Sequence, residues 1–407
     1  MSRGLHVLGG YQTDFAEKWD PGEKGAFDGL AEAVLGALTD AQVDATDVDA
    51  FEVGNFVGEL FLGQGHLGGI VASIDPAFAG KPGARHEAAC ASGSIAALSA
   101  ISRIEAGWSD VVVVVGMEQM RNVDAAAAAH NLGAAMWRGR EGAGATYPWV
   151  HQFSQIAEAY AERWGLDDGH LGAIAEKNFD NARRNPKAQS RAWAFEPGAF
   201  GPDDDLNPIV EGRLRRQDCG RITDGAAAVV LSSGAYAARH AKRTGREISA
   251  FPRISGWSTA TAPMLLQTKL AASPPDGPMF PHVARVIDEA RAMAETDLEH
   301  IDLIETHDCF TISEYVTYEH LGLSEPGKAW QVVETGAAQM DGHLPVNPSG
   351  GLIGGGHPVG ATGVRMLVDA SAQLRGVAGD TQVEGARTAQ TLNIGGSLTT
   401  VASFVLT

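Results

Sequence analysis

The sequence predicts a layered α/β fold built from two copies of one unit with an inserted lid. Three observations carry this: an internal repeat, a run of valines suited to a sheet covered on both faces, and a strand-poor segment inside the first copy. The repeat compares "LAEAVLGALTDAQVDATDVDAFEV", from Leu30, with "VARVIDEARAMAETDLEHIDLIET", from Val283. The two align without a gap: Ala37 answers Ala290, Asp44 answers Asp297, Asp49 answers Asp302 and Glu52 answers Glu305. A helix, an acidic turn and a short apolar strand recur together, as expected of two copies of one α/β unit.

Each copy continues alike. "CASGSIAALSAISRIEAG" follows the first strand and "GATGVRMLVDASAQLRG" the second, each passing from small residues into a helix. In the first, Ile95, Leu98, Ile101 and Ile104 recur every third residue and predict a narrow apolar stripe; Gly107 ends that helix. "DVVVVVG", from Asp110, is apolar without alternation, the pattern of a strand buried on both faces. "DAAAAAHNLGAAMW" and the residues after it lack a strand signal and read as a lid. "ITDGAAAVVLSS", from Ile222, restores a strand, and "FPRISGW", from Phe251, opens the second copy. The expected domains are therefore 1–118 with 218–250, a lid at 119–217, and 251–407.

Composition narrows the function. A formal net charge of −19 over 407 residues argues against nucleic acid, which needs clustered cations. Cys90, Cys219 and Cys309 form neither a disulfide framework nor a zinc spacing. No apolar run approaches membrane-spanning length. "MSRGLHVLGG" reads into a strand rather than as a secretory signal, and "SFVLT" is no peroxisomal tripeptide. The expectation is a cytoplasmic protein without membrane, nucleic-acid or metal partner.

The motifs then suggest chemistry. A cysteine at a helix start meets unpaired N–H groups that favour the thiolate, which makes Cys90 in "HEAACASGS" a candidate nucleophile. In the second copy "NPSGGLIGGGHPVGATG", from Asn347, lacks the lysine of a phosphate loop, but its glycines allow close approach around His357. If the halves pack about a pseudo-twofold axis, His357 comes near Cys90 as its base. "THDCFTISEY" places His307 and Cys309 at a strand end, where ligands collect in such sheets; too few donors surround them for a metal. Cys219 reads as structural, Met117 and Met120 as packing or pocket lining, and His86, His151 and His282 have no assignable role.

These residues resemble the thiolase superfamily over essentially the whole chain. Its cysteine-any-serine loop appears as "CAS" (Cys90 to Ser92) and its glycine-histidine-proline loop as "GHP" (Gly356 to Pro358). Its third loop appears as "HDCF" (His307 to Phe310), similar to the sterol-carrier-protein type and to archaeal and bacterial acetyl-CoA acetyltransferases; "KNFDNARRNPKAQ" is similar to the same branch. The resemblance implies the thiolase fold, two αβαβα halves, and an acyl-CoA C-acyltransferase that makes or cleaves 3-oxoacyl-CoA through a Cys90 acyl-enzyme. His357 would activate Cys90, and His307 with His357 would hold the enolate oxyanion. Backbone N–H groups of Cys90 and Gly395 would hold the acyl-enzyme carbonyl.

One motif departs. The family's fourth loop carries an acid/base cysteine, and this chain has "NIGG", from Asn393. An amide cannot take that proton, so the resemblance passes the role to Cys309. Coenzyme A thioesters would be substrates, with no permanently bound cofactor, and Arg183, Arg184, Lys187 and Arg191 are the expected counter-charge for CoA. A homodimer or dimer of dimers is expected, with a small zinc/OB-fold protein as a further partner. The alternatives are a decarboxylating ketoacyl-synthase-like enzyme, which could dispense with the fourth-loop cysteine, and a partner-dependent subunit of an acyl-CoA complex.

Overall fold

The computed structural model describes residues 4–20 and 22–407. The strands in chain order are β1 (Leu5–Gln12), β2 (Ala50–Gly54), β3 (Gly83–His86), β4 (Val111–Glu118), β5 (Ile209–Glu211), β6 (Leu214–Arg215), β7 (Gly225–Ser233), β8 (Ile254–Thr261), β9 (Leu303–Thr306), β10 (Ala389–Gly395) and β11 (Thr400–Leu406). They form one sheet of order β1-β7-β4-β2-β3, a second of order β8-β11-β10-β9, and a small β5-β6 pair.

The duplication is present in the topology. In the first sheet β1 and β7, then β7 and β4, pair antiparallel, and β4 and β2 parallel. In the second, β8 and β11, then β11 and β10, pair antiparallel, and β10 and β9 parallel. Repeated acids also do repeated work. Asp49 Oδ2 accepts from the N–H groups of Asp110 (2.7 Å) and Val111 (2.9 Å), and Asp302 Oδ2 from those of Arg387 (2.7 Å) and Thr388 (2.8 Å). Each fixes the entry to a central strand. Glu52 accepts from Arg103 at 3.1 Å and Glu305 from Arg365 at 3.0 Å, each tying its short strand to a central helix.

Those helices, Ser92–Glu105 and Thr362–Leu374, lie between the sheets. Successive side chains of a strand point to opposite faces, which explains the valine run. Val112 and Val114 join Ala96, Ala100, Val364, Leu367 and Phe404 in the central layer. Val111, Val113 and Val115 join Ala33, Val34 and Ala37 of the outer helix Ala26–Ala41. The predicted stripe on the first central helix is displaced: Ile101 and Ile104 are buried with Ala96, Ala97 and Ala100, whereas Ile95 and Leu98 are only partly covered. Small side chains let the central helices approach. At Gly363 a Cβ would lie 2.3 Å from Ser94 Oγ, so no larger residue fits that crossing.

The lid differs from expectation in one place. It contains the β5-β6 hairpin, whose five residues are too few to show alternation. The polar edge strand β3 was likewise invisible to periodicity. The lid helices Pro148–Trp164 and Asp168–Arg184 pack through Phe153, Ile156, Tyr160, Leu171 and Ile174 on Ile312, Tyr315 and Val316 of a wholly buried helix, Thr311–Leu321. Among the described residues no helix is long and apolar enough to cross a membrane.

Candidate active site

Cys90 stands two residues before its central helix, in a turn rather than in the first helical turn. Ala89 has φ of +51°, a left-handed conformation disfavoured for a residue with a Cβ. Ser92 Oγ stabilises this turn by accepting from the Ala88 N–H (2.9 Å) and donating to the Ala89 carbonyl (2.6 Å). The turn projects the half-buried Cys90 side chain between the halves.

The pseudo-symmetry brings the histidines to it. The Cys90 sulfur and one ring nitrogen of each of His307 and His357 lie within 4.8 Å of one another, and the imidazoles meet edge to face at 5.2 Å. Among the described residues this is the one cluster of three such donors close enough to share an ion. Cys309 joins Cys90, His357, Gly396, Phe310 and Met120 around a cavity of about 100 Å³.

The hydrogen bonds define the state of His357. The Thr362 hydroxyl donates to the Pro358 carbonyl at 3.2 Å, leaving its oxygen to accept from His357 Nδ1–H at 2.7 Å. Nε2 is then a bare lone pair, buried and unpartnered. Burial, with the Arg365 charge second, lowers the His357 pKa to about 3, so it is an uncharged base at neutral pH. Burial and the neighbouring His357 hold His307 well below the usual range too.

Cys90 departs from expectation. Burial pushes its thiol up to about 12, with Glu118 and Glu87 acting in the same direction; the Gly396 N–H hydrogen bond opposes them. The resting pair is therefore thiol and neutral imidazole, and the helix-start argument for a resting thiolate is overridden by desolvation. The N–H that points at Cys90 is that of Gly396, one residue beyond Gly395. Gly395 is where the chain passes so close to the Cys90 turn that a Cβ would fall 2.1 Å from the Ala88 carbonyl oxygen. Cys309 is buried and its thiol is held well above its ordinary pKa by burial and by Cys90; Ser313 Oγ lies 4.0 Å from its sulfur.

The structure does not bring the predicted basic cluster to this cavity. Arg183 pairs with Asp180 at 2.8 Å and Arg191 with Asp14 at 2.7 Å. Lys187 lies over the Tyr11 ring, and Arg184 is exposed. What this segment contributes is its asparagines. Asn181 donates to the Asn347 carbonyl (3.0 Å), Asn185 to the Ser349 carbonyl (2.9 Å), and Asn178 to Asp308 (2.8 Å) and Glu314 (2.7 Å). Asp308 in turn accepts from the N–H groups of Leu352 (2.6 Å) and Ile353 (3.2 Å). The lid thus holds both the His307 and the His357 loops. The spacing 178, 181, 185 on one helical face was the available signal, and the cations between them obscured it.

Two larger spaces adjoin the reactive cavity. A cleft of about 760 Å³ shares Met120, Arg221 and Ile222 with it and is lined by Lys18, Arg121, Arg216 and Arg221. Among the described residues none of these four cations has a carboxylate within ion-pair distance. A chamber of about 570 Å³ shares Leu132, Trp149, Arg221, Ile222 and Phe310 with it and is otherwise walled mainly by Tyr147, Pro148, Val150, Val210 and alanines, with Arg216 reaching its wall as well as that of the cleft.

Comparison with known proteins agrees with this architecture. Residues 8–192 match the family model for the thiolase N-terminal domain, and residues 269–407 that for the thiolase C-terminal domain-like family. An acetyl-CoA acetyltransferase of Methanothermobacter thermautotrophicus is 35% identical over 98% of both chains, and one of Methanocaldococcus jannaschii 31% identical over 99% of both. Human sterol carrier protein 2 is 29% identical over 97% of this chain and 70% of its own. A solved Ltp2–ChsH2(DUF35) aldolase shares the fold with a TM-score of 0.78 at 19% identity, over 100% of this chain and 98% of its own. The duplicated frame, the two family matches and the full-length relatives place the chain in the thiolase family of acyltransferases.

Proposed function

We propose that the protein makes or cleaves 3-oxoacyl-CoA through an acyl group carried on Cys90. The observation that supports this most is one small cavity holding two thiols and an uncharged imidazole. In cleavage, the Cys90 thiol gives its proton to His357 Nε2 and the sulfur attacks the 3-keto carbon. The bond between C2 and C3 breaks, the enolate of the departing thioester takes a proton at C2 from Cys309, and Cys90 keeps the shortened acyl group until CoA removes it. His307 and His357 face the enolate oxygen; the Cys90 and Gly396 N–H groups face the acyl carbonyl. Synthesis runs the same steps in reverse.

In this reading the cationic cleft takes the phosphates of CoA and the apolar chamber an acyl group longer than acetyl. Arg121→Glu with Arg216→Glu is expected to raise the CoA KM about tenfold, as for loss of a charged hydrogen bond, with kcat little changed. An unchanged KM would place CoA elsewhere. A second reading, decarboxylating condensation, draws on Asn393, which cannot exchange a proton. Turnover of a malonyl thioester but not of an acetyl one would favour it.

A further inference from the structure

Asn393 occupies the position of the family's acid/base cysteine, yet it is not idle. Its Nδ2 lies 3.1 Å from His307 Nδ1, and its Oδ1 accepts from Ser94 Oγ at 2.8 Å. Ser94 comes from the first central helix, Asn393 from β10 and His307 from the loop after β9, so three elements of both halves meet here. All three side chains are at most 1% exposed. A Cβ at Gly363 would lie 2.6 Å from Asn393 Oδ1, so the second central helix closes the site to water.

We infer that Asn393 is a positioning residue that fixes His307 in the Nε2–H tautomer, making His307 the oxyanion donor and leaving His357 as the only base. The inference rests on the reading of this cavity as a condensing centre. The Ser94 hydroxyl, donating to Oδ1, turns the Asn393 amide so that its NH2 faces the histidine. His307 Nδ1 must then be the acceptor, and the ring proton sits on Nε2. The other orientation would set a bare His307 nitrogen against the bare His357 Nε2, with one thiol hydrogen between them. With Asn393 as it stands, the two imidazoles are complementary: one offers a proton to a developing oxyanion, the other a lone pair to the Cys90 thiol.

The test is histidine 15N NMR on the full chain, with His307 assigned by a His307→Gln difference spectrum, alongside steady-state kinetics. In the unmodified protein, His307 is expected to carry its proton on Nε2 with Nδ1 bare; the opposite tautomer overturns the inference whether or not the protein turns over a thioester. Asn393→Asp offers only acceptors, so the proton should move to Nδ1 and kcat should fall about 100-fold or more, the scale for losing an oxyanion donor or holding a catalytic imidazole in the wrong tautomer. KM should stay within about threefold. An Asn393→Asp protein with the proton moved and kcat intact would also overturn it. Ser94→Ala is a gentler variant in case the aspartate is not tolerated. It should give a mixture of tautomers and an intermediate kcat, and an unchanged spectrum and rate would refute the relay.

Discussion

Cys309→Ala is expected to lower carbon–carbon bond formation and cleavage by about 100- to 10,000-fold, the range for a positioned general acid/base, while Cys90 still accepts an acyl group. The reason is the poverty of the cavity in exchangeable protons. Asn393 is an amide, the unpartnered His357 lone pair serves the Cys90 thiol in the proposed reaction, and Cys219 lies outside, lining the larger chamber and donating to the Arg215 carbonyl. Cys309 is the second thiol in contact with the reactive cavity. Its raised pKa keeps Cys309 a thiol at rest, holding the proton the enolate carbon takes, and makes the thiolate left behind a stronger base for the reverse transfer. Exchange of the α-hydrogens of acetyl-CoA with deuterated water isolates this step from acyl transfer. Exchange and turnover at the unmodified rate in both Cys309→Ala and Cys309→Ser would remove Cys309 from the mechanism.

Lys177→Met is expected to destabilise the fold by about 3–5 kcal/mol, the cost of stranding one partner of a buried ion pair. Lys177 and Glu314 pair in the interior, and Lys177 also donates to the Val346 carbonyl at 3.0 Å. Glu314 further accepts from Asn178 (2.7 Å), Asn347 (2.9 Å) and Tyr318 (2.5 Å). Nearby, burial and the Glu314 charge push the Asp308 carboxyl up to about 7. Without the ammonium, two acids face each other with no cation at that contact, and both hold loops that carry His307 and His357. Urea denaturation at pH 7 measures the loss. Lys177→Met with Glu314→Gln should recover much of it, because the charge goes with its partner. A loss below about 1 kcal/mol in the single variant would show that water or protonation relieves the site.

The sequence exposed what is repeated or unbroken. Asp49 and Asp302, and Glu52 and Glu305, marked two copies because each pair makes the same bonds in its half. The valines of β4 announced a doubly covered sheet because both their faces meet apolar layers. Cys90, His307, Cys309 and His357 were legible because the frame forces strand ends and helix starts to one place. What escaped was whatever depends on contacts between distant segments. The resting state of Cys90 is decided by the depth of its cavity, which a helix-start argument does not contain. Order alone does not show that Arg183 pairs with Asp180 and Arg191 with Asp14; the cations that line the cleft, Arg121, Arg216 and Arg221, are scattered along the chain. Asn393 looked like a loss because its histidine partner lies 86 positions away in the chain.

The proposed reaction leaves the acyl group on Cys90 after a carbon–carbon bond is cut. Intact-protein mass after mixing with acetoacetyl-CoA, and separately with 3-oxodecanoyl-CoA, each without free CoA and with Cys90→Ala as control, tests it most directly. An adduct two carbons shorter than the acyl group supplied is expected, located on Cys90 and absent from the Cys90→Ala protein. An uncleaved 3-oxoacyl adduct, or no adduct on Cys90 with either thioester, would contradict it.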